Sequence, residues 1–168
     1  LAMFLDDKEA VVAEEAIDAL GHIAQNSELG AEVFNILISK ATDKEFGLRG
    51  PALLTASMVG DPEDVLPVIG TILEEKDQSG REYAVRAISF VNGPEAVPYL
   101  ARILEDGGSK EMQRTAYSLL AKTGSEEALK VLRNDVYSKE REKQVNTVWA
   151  LSRSNTEGNS EILSSAVR

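Results

Sequence analysis

The chain has 168 residues and a formal net charge of −10, with 43% hydrophobic residues, 5% aromatic residues and no cysteine. There is enough apolar material for a core, while disulfides, thiolate metal sites and a cysteine nucleophile are excluded. No apolar run approaches the ~18 residues of a membrane span, and Leu1-Ala2-Met3-Phe4-Leu5 is too short and too soon followed by acids to act as a signal peptide.

Zero cysteines suit a reducing cytosol and an oxidising exterior equally, so the compartment stays open, with the cytoplasm as the working expectation. The charge is unevenly spread. Residues 1–78 carry 16 acids and 5 bases (−11), and residues 79–168 carry 12 acids and 13 bases (+1). An acidic first half argues against a phosphate backbone as the main ligand, which needs a basic track. It leaves two readings open: a solvated surface, or a face for a partner with a basic patch.

In chain order, helical stripes alternate with turns. Ala16, Ala19, Leu20 and Ile23 have the i, i+3, i+4, i+7 spacing of one helical face. The same spacing returns at Ala52, Thr55, Ala56 and Val59, at Ala84, Ala87, Ile88 and Val91, and at Ala116, Leu119, Leu120 and Thr123. A fifth copy around Val148-Trp149-Ala150-Leu151 drifts by one residue. A second stripe follows each turn. These are Val33, Phe34, Ile36 and Leu37; Leu66, Ile69, Ile72 and Leu73; Val97, Leu100, Ile103 and Leu104; Leu129, Leu132 and Val136; and Ile162, Leu163, Ala166 and Val167. Neither stripe of a pair can bury itself alone, so each pair must stack on its neighbours.

The turn cassette Gly60-Asp61-Pro62-Glu63-Asp64-Val65-Leu66-Pro67 returns as Asn92-Gly93-Pro94-Glu95-Ala96-Val97-Pro98, 32 residues on (94 − 62). A period of that length denotes stacked two-helix units. Five units are expected, over residues 6–42, 43–77, 78–107, 108–138 and 139–168, forming one all-α superhelical domain cut from a longer protein. The apolar edge at Leu1, Met3, Phe4 and Leu5 and the absence of a polar capping helix at Ser164–Arg168 support that expectation. Asp61 and Ser125 are placed to cap the helices that follow, Pro62 at a first helical position. Because Pro67 and Pro98 follow so soon, the first proline of each pair is expected in the turn and the second early in the helix. Gly47, Gly50 and Pro51 are expected to kink or break the first helix of the second unit.

The run Arg81-x-x-Ala84-x-x-Ala87-Ile88-x-x-Val91-x-Gly93-Pro94-Glu95-Ala96-Val97-Pro98-x-Leu100 resembles the short HEAT repeat, also called PBS-lyase HEAT-like. The resemblance implies an α-solenoid with first helices on a convex side and second helices lining a concave one. It implies structural roles for Arg49, Asp61, Pro62, Arg81 and Pro94, with Asp61 placed to pair with Arg49. Arg114 is shifted by one from the basic position, and Ala13 replaces it in the first repeat. Members of this family mostly bind other proteins. Some act on small molecules or nucleic acid: di-iron hydroxylases with His-Glu steps, DNA glycosylases with a basic aromatic groove, and phycobilin lyase subunits.

This chain has one histidine, His22, and no His-Glu step, so no metal or cofactor is expected. His22 reads as a surface or helix-end residue. The acid pairs Asp6-Asp7, Glu14-Glu15, Glu74-Glu75 and Glu126-Glu127 lie about 100° apart on a helix and do not converge on a substrate. Asp106-Gly107-Gly108-Ser109-Lys110 lacks the strand and spacing of a phosphate loop and reads as a connector. Trp149 is expected to pack in the last repeat, with a partly exposed contact role as the alternative. The leading function is a non-catalytic protein-interaction scaffold. Its partner-binding face consists of the second-helix residues Glu74, Glu75, Arg102, Glu105, Lys130 and Arg133. The alternative is a HEAT-like subunit of a modifying enzyme that holds a chromophore. No nucleic acid and no membrane are expected as partners.

Overall fold

The computed structural model describes residues 1–91 and 93–166, so that Asn92 of the second cassette and Val167 and Arg168 at the end lie outside the described residues. Among the described residues there are ten α-helices and no strand. The helices are α1 (Ala10–Asn26), α2 (Gly30–Thr42), α3 (Arg49–Val59), α4 (Pro62–Leu73), α5 (Gln78–Ile88), α6 (Val97–Asp106), α7 (Lys110–Thr123), α8 (Glu126–Val136), α9 (Arg141–Arg153) and α10 (Glu157–Ala166). Single turns of 3-10 helix lie at Ala2–Phe4 and Pro94–Ala96.

The chain packs as two compact units, Leu1–Val91 and Asn92–Arg168. In the first, α1, α3 and α5 pack side by side as one layer and α2 meets α4 in the other. In the second, α7 packs on α9, and α8 touches both α6 and α10. Each unit is therefore a two-layer stack, because each helix has one apolar stripe to bury between the layers. The stripes read from spacing supply much of the core, although Ala19, Ile23, Thr55, Leu119 and Leu129 are only half-buried and Ala166 is exposed. Ala16, Leu20, Ala52, Ala56, Ala84, Ile88, Ala116 and Leu120 of the first helices are buried, as are Leu37, Ile69, Leu100 and Leu132 of the second helices. Alanine at the first position of each first-helix set has no side chain beyond Cβ, which lets neighbouring helices approach closely.

Local chemistry sets the helix starts. Asp77 accepts the backbone N–H groups of Ser79 (3.2 Å) and Gly80 (2.8 Å) at the head of α5. Ser109 accepts from Met112 at 3.3 Å and Ser125 from Ala128 at 3.2 Å, capping α7 and α8. Each such cap contributes about 1 kcal/mol. Asp61 occupies the cap position of α4, with Pro62 first in the helix, but its side chain makes no cap bond; its backbone carbonyl accepts the Val65 N–H instead.

Two proline expectations fail and one holds. Pro51 does not break α3, because the helix begins at Arg49 and the proline sits in its first turn. There the missing N–H has no helical acceptor to lose. Pro62 heads α4, in keeping with its reading as a first helical residue and against the placing of each pair's first proline in the turn, which leaves Pro67 inside the helix. Pro67 is exposed, so the carbonyl of Glu63 that its missing N–H would have met can turn to water. Pro94 and Pro98 behave as expected: the first starts the 3-10 turn and the second lies at the start of α6.

Candidate functional site

The outward sides of the second helices are the place to look for a binding face, and the structure separates the six residues assigned there. Arg102 and Glu105 on α6, and Lys130 and Arg133 on α8, are exposed and lie opposite the buried stripes of their own helices. Because α6 touches α8, all four belong to one region of the second unit. Arg102 also lies 3.4 Å from Asp106, one turn on. Glu74, just past α4 in the first unit, is exposed.

Glu75 is turned elsewhere. Its carboxylate receives both arms of the Arg49 guanidinium, at 2.7 and 3.0 Å, and the two side chains are only 13% and 14% exposed. Arg49 Nε also donates to the carbonyl of Ala41 at 3.1 Å, one of the carbonyls left over at the end of α2. One guanidinium thus joins the ends of α2 and α4 across the start of α3. The hydrogen bond from Arg49 holds the Glu75 carboxyl below its ordinary range, and the bond to Glu75 holds the Arg49 guanidinium above its own. The expected pairing of Arg49 with Asp61 is therefore replaced by pairing with Glu75. Arg81, at the same register 32 residues later (81 − 49), has its Nε buried without a partner. The residue 32 past Glu75 is Gly107, which has no carboxylate to offer.

Trp149 is not packed away. It is half-buried on α9, with the guanidinium of Arg114 5.6 Å and that of Arg153 5.0 Å from its ring centre. His22 is exposed on α1 and lines a shallow cleft of about 230 Å³ between α1 and α3, with Asp18, Gln25 and Met58. The cleft floor exists because Gly21 has no side chain: a Cβ there would come within 2.6 Å of the Thr55 methyl.

The charge divides by layer within the second unit. Helices α7 and α9 together carry six bases and two acids (+4), whereas α6, α8 and α10 carry three bases and seven acids (−4). Over the whole units, residues 1–91 hold 17 acids and 7 bases (−10) and residues 92–168 hold 11 of each. The acidic-to-neutral trend along the chain thus conceals a second polarity, between the layers of the second unit.

Paired helices stacked in two layers, at a period near 32 residues, define an all-α helical-repeat solenoid. The family model for HEAT repeats matches residues 66–152, just over half of the chain. The chain belongs to the HEAT-repeat family, whose members generally mediate protein–protein interaction. A search of curated proteins finds no match. Among solved structures, the chain is similar to an engineered protein known from its crystal structure, with a TM-score of 0.57 and 20% identity. That likeness covers 99% of this chain and 83% of the other, and shows the fold alone. Among the described residues no helix is long and apolar enough to cross a membrane.

Proposed function

We propose that this chain is a non-catalytic scaffold that seats a protein partner on its second-helix layer. The observation that carries the reading is the exposed α6/α8 face of the second unit. Arg102, Glu105, Lys130 and Arg133 there carry charges of both signs, opposite a fully committed core. Mixed charge of this kind sets register and selects partners more than it adds affinity. The first unit, with its excess of ten acids, favours a partner that brings a basic patch to that half. Glu75 takes no direct part, since its carboxylate is held by Arg49.

The test uses the whole chain as bait, with captured proteins identified by mass spectrometry. Binding of the purified partner is then measured for Arg102→Glu/Arg133→Glu. A loss of affinity of about tenfold or more supports the assignment. Unchanged affinity removes these residues from the interface. Recovery of a co-purifying small molecule and no protein would sink the scaffold reading itself.

A further inference from the structure

We infer that the outward face of α7 and α9 in the second unit is a docking surface for an acidic amphipathic segment of a partner protein, centred on Trp149. Val145, Val148 and Trp149 stand at i, i+3 and i+4 on α9 and so share one helical face. Val145 is 53% and Val148 42% exposed, and Trp149 is half-buried. Three apolar residues at helical spacing on a solvent-facing surface are not needed by the core, which α9 supplies with Ala150 and Leu151. The patch is bordered mainly by cations; the one acid on this face of α9, Glu142, lies 4.0 Å from Lys110 of α7. Arg114 reaches it from α7, Arg153 lies one turn beyond the tryptophan, and Arg141 lies one turn before Val145.

Arg114 and Arg153 are exposed, and each has the indole ring but no carboxylate as a partner among the described residues. A guanidinium laid against an aromatic ring is held in place while its N–H edges stay free to receive a carboxylate in a bidentate bond. Tryptophan and arginine together are the residue types most enriched at interface hot spots. The charge also fits, since α7 and α9 carry +4 within a unit that is neutral overall.

A short acidic segment is favoured over a nucleic acid for two reasons. The indole that a base would stack on is already overlaid by guanidinium groups. A phosphate backbone running beyond the patch would also meet the −4 of the other layer, whereas a segment within about one Debye length, ~8 Å, senses mainly the local cations. This surface is on the opposite layer from Arg102 and Arg133, so it stands or falls separately from the second-helix reading.

Because Trp149 is the sole tryptophan, its emission is the readout in the intact chain. The probe is a synthetic amphipathic peptide of about four helical turns with leucines on one stripe and glutamates beside it. Controls are its glutamine twin and a thymidine oligonucleotide. Saturable change in emission with the glutamate peptide is expected, weakened about tenfold or more for the glutamine twin and for Arg114→Gln/Arg153→Gln. The Arg102→Glu/Arg133→Glu variant should bind the peptide as the parent does. Far-UV circular dichroism confirms that each variant is folded, and Val145→Ser, which leaves both arginines in place, gives an independent weakening. No saturable change up to ~1 mM peptide, equal affinity for the glutamine twin, or preference for the oligonucleotide would each overturn the assignment.

Discussion

Replacing Arg49 by methionine should destabilise the first unit by about 2–4 kcal/mol. The figure follows from what the guanidinium does. It makes two charge-assisted bonds to Glu75, each worth about 1.5–3 kcal/mol, and one bond to the Ala41 carbonyl worth about 1 kcal/mol. Desolvation of both charges opposes these gains. Side-chain exposures of 13% and 14% place the pair well below the surface regime in which salt bridges contribute almost nothing.

Removing the arginine leaves the Glu75 carboxylate half-buried and uncompensated, so Glu75→Gln should cost a similar amount and the double variant less than the sum. A coupling of about 2 kcal/mol is expected from urea denaturation of the four proteins at pH 7, followed by circular dichroism. Hydrogen exchange of the α3 and α4 amides reads the same cycle within the first unit. The sign with pH is set by the lowered Glu75 value: the advantage of the parent over Glu75→Gln is present above the ordinary 4.5 and is lost as pH falls through the folded-state value. Single variants that add within ~0.5 kcal/mol, or a difference independent of pH, would refute the clamp.

Other outcomes follow from the same geometry. Tyr117 is fully buried and donates to Asp135 at 2.7 Å; burial first, and that bond second, hold its phenol above the ordinary 10.0. Stability should therefore be flat in this respect below pH 10.0 and fall above it, as the unfolded chain releases the proton first. Tyr117→Phe should remove that alkaline fall, measured as the urea midpoint against pH. Gly124 ends α7 at φ +63°, and a Cβ there would lie 2.1 Å from the Thr156 methyl. Gly124→Ala should cost at least ~1 kcal/mol from the left-handed backbone alone; an unchanged melting curve would show that the turn can move. Pro67→Ala should stabilise α4 by about 1–3 kcal/mol, since it restores an interior N–H donor without disturbing an exposed position. A loss of stability in that variant would mean that the proline's rigidity outweighs the missing bond.

What was legible in the sequence is what a helix determines locally. Spacing of three and four placed the buried stripes, because 3.6 residues per turn put those positions on one face whatever the surroundings. Ser125 as a cap and Pro62 as a first helical residue were legible for the same reason: their partners lie within one turn.

The chain alone could not decide which long side chains meet, because those distances belong to packing. Glu75 lies 26 residues from Arg49 and Asp61 only 12, yet it is the end of α4 that comes to the guanidinium. The apolar drift around Trp149 looked like core, but α7 brings Arg114 to the ring and leaves Val145 and Val148 facing out. The tolerance of Pro67 rests on exposure, and that of Pro51 on where α3 begins. Periodicity thus determined the helices and their inner faces, since both follow from the geometry of one backbone. Only the tertiary structure decided the charge pairs, the close approach at Gly21 and the surfaces left open to partners, since each depends on residues from separate helices.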